Sequence, residues 1–135
     1  MKFIVDLFMH TKKEKGDWAE TLAIDYLEQR DFYILATKYR FQRAEIDIIA
    51  ISDHKIWAIE VKYRSTQDFG NPEEFFSKGQ ESRLIDAIAH YAEQNAHDGE
   101  VTIGVIGINP NTHGTYDIRF TELEIDNNFE SLTSS

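Results

Sequence analysis

Residues 44–64 read AEIDIIAISDHKIWAIEVKYR, and this stretch decides the expected fold. It is rich in β-branched and aromatic residues on both sides of a polar turn at residues 53–54, which predicts two antiparallel strands. Three ionisable side chains, Asp47, Glu60 and Lys62, interrupt these apolar strands. Burying a carboxylate costs free energy unless a cation, a metal or hydrogen-bond donors compensate its charge. The stretch therefore predicts either a functional site or a solvated strand edge.

The turn also predicts which side chains face each other across the two strands. A two-residue turn, or a four-residue loop with the same centre, places Asp47 opposite Glu60 and Glu45 opposite Lys62, because side chains alternate along a strand. Facing carboxylates repel, but at about 4.5–5.5 Å between Cβ atoms they are close enough to share one hard cation such as Mg²⁺. The alternative is that Lys62 pairs with Glu45 while the two acids are solvated at an edge.

The rest of the chain predicts an α/β fold. Apolar residues recur at helical spacing from about residue 12 to residue 29, and again in a helix expected to start after Asn71-Pro72 and to end near Asn95. The order α-β-β-β-α-β-β indicates a mixed β-sheet flanked by helices. We expect a single domain over residues 1–135, with about residues 127–135 frayed. The predicted strands are 31–40, 44–52, 55–63, 101–109 and 115–123.

Composition and charge limit the cellular location and the binding partners that we expect. The chain has no cysteine and no apolar run long enough to cross a membrane, so we expect a cytoplasmic protein without a membrane partner. Its net charge of -10 alone argues against nucleic acid. The excess of acidic groups lies in the second half of the chain. Residues 1–64 hold 11 basic and 11 acidic groups, whereas residues 65–135 hold 3 basic and 13 acidic groups. The first half therefore has two interpretations, a basic surface or a solvated surface of mixed charge. The candidates for the basic surface are Lys12, Lys13, Lys15, Lys38, Arg40, Arg43, Lys55 and Arg64.

Glu20 is a fourth candidate for the site. It shares one row of the first helix with Gly16, Ala23 and Leu27, so its carboxylate borders the stripe that faces the core. The small residue on either side of it would let another element approach closely. Taken alone, an exposed helical glutamate is the plainer interpretation.

Five segments in order, GDWAETLAIDYL, AEIDIIA, IEVKYR, DFGNPEEFFSK and EIDNNF, resemble the YraN-like family of uncharacterised bacterial proteins. This family belongs to the restriction-endonuclease-like PD-(D/E)XK nuclease superfamily and is similar to Holliday junction resolvases. The resemblance covers about residues 12–129 and implies a core of order αβββαβ. Ala19 and Ala44 stand where glycine is usual, and Ile46 stands where the superfamily motif has proline.

The resemblance also implies an activity and roles for individual residues. Asp47, Glu60 and the carbonyl of Val61 would hold Mg²⁺ or Mn²⁺, Lys62 would orient the attacking water, and Glu20 would order a second metal or a water. The implied function is a metal-dependent nuclease acting on DNA, including branched recombination intermediates. The charge distribution predicts that the binding of DNA is weak. The alternative is a non-catalytic module with this fold that binds nucleic acid or protein, and both a homodimer and a protein partner stay open. The expected DNA contacts are Arg40, Arg43 and Arg64 from the basic surface and Lys78 from the resemblance.

Overall fold

The computed structural model describes residues 11–64 and 76–123. Within them, five strands form one sheet in the order β1-β2-β3-β4-β5, in which only β3 and β4 run parallel. The predicted mixed sheet flanked by helices, and the order αβββαβ, are confirmed. The elements are α1 Lys12–Glu28, β1 Tyr33–Phe41, β2 Ala44–Ser52, β3 Lys55–Tyr63, α2 Lys78–Gln94, β4 Glu100–Pro110 and β5 Tyr116–Leu123.

Each helix begins at a side-chain cap. The hydroxyl of Thr11 accepts a hydrogen bond from the Glu14 backbone amide, and the hydroxyl of Ser77 accepts one from the amide of Gln80. Such caps satisfy amide groups that have no partner within the helix. Because Ser77 caps α2, this helix begins later than the predicted start after Asn71-Pro72. The predicted loop over 65–74 and the predicted frayed tail lie outside the described residues.

The two helices cover opposite faces of the sheet. Along β3, Ile56 and Ala58 pack into the core beneath α2, whereas Trp57 and Ile59 pack into the core beneath α1. This alternation is that of a strand buried on both faces, and it explains the nearly continuous apolar sequence of β3. The buried residues that the helices contribute are Ala19, Ala23 and Leu27 from α1 and Leu84, Ile85, Ala87, Ile88 and Ala92 from α2.

The turn between β2 and β3 has the predicted length. Ser52 pairs with Lys55, so Asp53 and His54 are the only two residues of the connection, and both have positive φ, at 51° and 61°. Two successive residues of positive φ are typical of a type I′ hairpin turn. The predicted register of this hairpin is confirmed from Ser52 back to Ile48, which pairs with Ile59.

Candidate active site

The ladder between β2 and β3 ends one residue before the predicted carboxylate pair. Ile48 pairs with Ile59, and the next backbone amide of β3 that points towards β2, that of Val61, donates to Oδ2 of Asp47 at 2.8 Å. A side-chain carboxylate thus takes the position that a main-chain carbonyl would hold in a regular ladder. Because the bond is partly buried, it fixes the orientation of the Asp47 carboxylate against β3.

The side chains of β2 change face at the same point. Ala44 and Ile46 pack beneath α2 together with Ile49, whereas Ile48 packs beneath α1. Strict alternation would put Ile46 and Ile48 on one face, so the strand is irregular at Asp47. The expectation that Glu45 faces Lys62 is therefore wrong. Glu45 instead forms an ion pair of 2.9 Å with Arg40 on β1.

Glu60 is the most buried ionisable side chain of the site. Its relative exposure is 7%, and its Oε1 atom is buried without a hydrogen-bond partner among the described residues. Burial is the first cause that raises the pKa of Glu60, and the nearby charge and hydrogen bond of Asp47 raise it further, to about 9. Without a cation, Glu60 therefore holds a proton at neutral pH, and a hydrogen bond joins its side chain to that of Asp47. The two carboxyl groups do meet, through the gap between the strands rather than across a regular ladder.

Lys62 follows Glu60 on the α2 face of β3. Its ammonium nitrogen lies 5.7 Å from the ring centroid of Phe76, which packs in the core beneath α2. The positive charge of Lys62 opposes the rise in the pKa of Glu60, although burial and Asp47 outweigh it. Lys62 is half-buried, and its charge acts on Glu60 from the same face of β3.

A cavity of about 280 Å³ lies on the other side of Asp47, beneath the N-terminal half of α1. Glu20 lines it together with Asp47, Val61 and Tyr63. Burial raises the pKa of the Glu20 carboxyl, while the charge of Lys38 opposes this rise. The prediction that Glu20 borders the core stripe agrees with this position, whereas its role at the site stays a prediction.

The donor set suits a hard divalent cation. Two carboxylates and the backbone carbonyl of Val61 are oxygen ligands, which Mg²⁺ and Mn²⁺ prefer. The unpartnered Oε1 of Glu60 and the raised pKa of this carboxyl are what a cation would relieve. In residues 11–64 and 76–123 no group of three or more His, Cys, Asp or Glu side chains converges as a metal site. Glu20 thus does not join Asp47 and Glu60 as a third converging ligand, although it lines the cavity with Asp47.

The four expected DNA-binding residues are dispersed around this edge of the molecule. Arg40 is 81% exposed but paired with Glu45, and Arg43 lies at the turn between β1 and β2. Arg64 follows β3, with its backbone amide donating to Ile108 at 2.9 Å, and Lys78 is the exposed first residue of α2. Their role in DNA binding stays a prediction.

Asp17 was not predicted as a site residue from the sequence, and Lys38 was expected only as part of a basic surface. Asp17 and Lys38 line the cavity with Glu20, and they form an ion pair of 3.1 Å. The spacing of Lys13 and Asp17, four residues apart on a helix, was the only available signal for Asp17. Arg83 lines a depression of about 310 Å³ together with Arg43, although the two are far apart in sequence.

Comparison with known proteins identifies the family. The profile of the uncharacterised protein family UPF0102 matches residues 19–120. The chain belongs to this family. A UPF0102 protein of Christiangramia forsetii is 42% identical over 79% of this chain and 90% of its own length. A UPF0102 protein of Flavobacterium psychrophilum is 34% identical over 74% of this chain and 84% of its own length. The predicted family is thereby confirmed.

Among solved structures, the chain is similar to Pyrococcus furiosus SfsA in complex with Ca²⁺. The TM-score is 0.38 and the sequence identity 14%, over 84% of this chain and 63% of SfsA. In this UPF0102 member, the described helices include none that is long and apolar enough to span a bilayer. The expectation of a cytoplasmic location stays a prediction.

Proposed function

We propose that this UPF0102 protein is a divalent-metal-dependent nuclease that hydrolyses phosphodiester bonds in DNA, including branched recombination intermediates. The observation that supports the proposal most is the meeting of Asp47 with the buried Glu60 where β2 and β3 separate. A protein that gained nothing from this pair would be more stable with apolar residues there, because the buried carboxyl costs free energy.

In this proposal, each residue of the site has a separate role. Asp47 and Glu60, with the Val61 carbonyl, would hold Mg²⁺ or Mn²⁺, and the Val61 amide keeps Asp47 oriented for this purpose. When bound, such an ion polarises a phosphoryl oxygen and activates water. Lys62, two residues beyond Glu60, would donate to the attacking water or to a phosphate oxygen. Glu20 would hold a water in the cavity on the far side of Asp47.

The test is metal-dependent cleavage of a panel of linear, flapped and four-way DNA. The parent should cut at least one substrate with Mg²⁺ or Mn²⁺ and none with EDTA. Asp47→Asn and Glu60→Gln should abolish cleavage, because each removes one carboxylate. Asp53→Asn and Glu28→Gln are the matched controls, since both residues are exposed and neither touches the site. Cleavage that persists in Asp47→Asn would not depend on this carboxylate and would count against the proposal.

A second candidate is a binding module with this fold that does not cleave. It is favoured by the finding that no third carboxylate joins Asp47 and Glu60 among the described residues, and by the net charge of -10. Such a module would bind DNA or a protein but leave every substrate of the panel intact with either metal. Binding without cleavage would therefore favour this candidate over the nuclease.

A further inference from the structure

Two lysines at the cavity beneath α1 are held by one aspartate. Asp17 Oδ2 lies 3.0 Å from the ammonium nitrogen of Lys13, and Asp17 Oδ1 lies 3.1 Å from that of Lys38. Both lysines and Asp17 line the same cavity as Glu20 and Asp47. The cavity thus carries two lysines at its margin, and in this structure both pair with the same carboxylate.

The backbone at Lys38 is unusual. Its φ is 51°, in the left-handed region that lysine rarely adopts, and its neighbours Thr37 and Tyr39 pair with Ile48 and Ile46 of β2. Lys38 therefore stands opposite Asp47 at the irregular point of β2. A non-glycine residue of positive φ within a strand costs free energy, and such conformations recur at functional sites. Nothing in the packing demands lysine here, since its side chain is 54% exposed.

The ion pairs of Asp17 are exposed enough to exchange. The side chains of Lys13, Lys38 and Asp17 are 83%, 54% and 46% exposed. Exposed ion pairs contribute little to stability, so another anion can compete with Asp17 for the lysines. A phosphate group, which accepts more hydrogen bonds from lysine than one carboxylate can, is a suitable competitor.

We infer that Lys38, with Lys13, binds a DNA phosphate at the cavity beside Asp47, and that Asp17 is an internal competitor that occupies these lysines when DNA is absent. This inference rests on the proposed function and specifies where the strand flanking the scissile phosphate would lie. It assigns Lys38 and Asp17 opposite effects on DNA affinity, although both are polar residues in one ion pair.

The test measures binding of a fluorescent four-way DNA by anisotropy, at low salt and with Ca²⁺ in place of Mg²⁺. Asp17→Asn should bind about two- to fivefold tighter than the parent, because the lysines lose their competitor. Lys38→Asn should bind more weakly and lower the slope of log affinity against log salt by about one. Asparagine tolerates positive φ, so Lys38→Asn should melt no lower than the parent.

Matched controls separate a local effect from a change in net charge. Asp25→Asn changes the charge of the same helix by the same amount, farther from the cavity, and Lys55→Gln removes a lysine that is also paired with a carboxylate, Glu122. The inference fails if Asp17→Asn binds no tighter than Asp25→Asn, or if Lys38→Asn binds as well as Lys55→Gln. In that outcome, parent binding to DNA and its stabilisation by metal would leave the proposed function standing. A parent that binds no DNA would overturn both.

Discussion

The backbone amide of Val61 donates a hydrogen bond of 2.8 Å to Oδ2 of Asp47, at the point where the β2–β3 ladder ends. This bond makes the Asp47 carboxylate part of the sheet, because it replaces a main-chain acceptor. It also brings Asp47 to the buried carboxyl of Glu60, whose Oε1 has no hydrogen-bond partner within the described part of the chain. One residue thus links the integrity of the sheet with the chemistry of the site.

Two substitutions of Asp47 should separate these roles. Asp47→Asn keeps an oxygen acceptor for the Val61 amide and adds a donor for Glu60, so the metal-free protein should be as stable as the parent or more stable. Asp47→Ala leaves a partly buried amide without a partner and should cost about 1–3 kcal/mol. Urea unfolding in EDTA measures both free energies. Equal destabilisation by the two variants would show that the hydrogen bond to Val61 does not hold the strands together.

The raised pKa of Glu60 predicts how stability depends on pH without metal. The folded protein keeps the proton up to about pH 9, whereas the unfolded chain loses it near the ordinary value of 4.5. The stability associated with this proton is therefore full below pH 4.5 and is lost as the pH rises towards 9, with a slope of up to about 1.4 kcal/mol per pH unit.

Glu60→Gln should flatten this dependence, because glutamine is neutral at every pH. Unfolding free energies at about pH 5 and about pH 8 in EDTA, for the parent, Glu60→Gln and Glu28→Gln, provide the comparison. The Glu60→Gln curve should lie above that of the parent at the higher pH. Parallel curves for the parent and Glu60→Gln would contradict the burial of a protonated Glu60.

A third prediction concerns Arg43 and Arg83, which line one depression between the β1–β2 turn and α2. Neither arginine forms an ion pair within residues 11–64 and 76–123, whereas Arg40 is paired with Glu45. If the proposed DNA binding extends over this surface, Arg43→Ala and Arg83→Ala should each lower the salt slope by about one. Arg40→Ala should lower it less, and Arg30→Ala, in the turn that follows α1, should leave it unchanged. Equal slopes for all four variants would exclude this surface.

Much of the fold follows from local sequence patterns. The alternating and continuous apolar runs of residues 44–64 predict both strands, and the two-residue turn fixes their register as far as Ile48 and Ile59. The stripes Ala19, Ala23 and Leu27 of α1 and Leu84, Ile85 and Ile88 of α2 are buried as the helical period requires. These features depend on residues that are close together in the sequence, so one sequence is enough to predict them.

The site is predicted less completely because it depends on departures from regular geometry. Strict alternation predicts Glu45 opposite Lys62, but the irregularity at Asp47 changes the face of the residues before it. The positive φ of Lys38 cannot be predicted from its residue type, because lysine rarely adopts this conformation. The approach of Arg83 to Arg43 depends on how α2 packs on the sheet. The division of the chain into a neutral first half and an acidic second half does not correspond to two surfaces either. Arg43 belongs to the first half and Arg83 to the second, yet both line the same depression.

The remaining prediction is that Asp47 and Glu60 bind a divalent cation, and calorimetric titration with Mn²⁺ tests it most directly. Titrations at about pH 7.5 in two buffers of different ionisation enthalpy give both the number of sites and the protons released. The parent should bind one Mn²⁺ and release about one proton, because Glu60, with its pKa of about 9, must lose its proton to become a ligand. Asp47→Asn and Glu60→Gln should bind none, while Asp53→Asn should behave as the parent. Absence of binding by the parent, or equal binding by Asp47→Asn, would contradict a metal site at this pair.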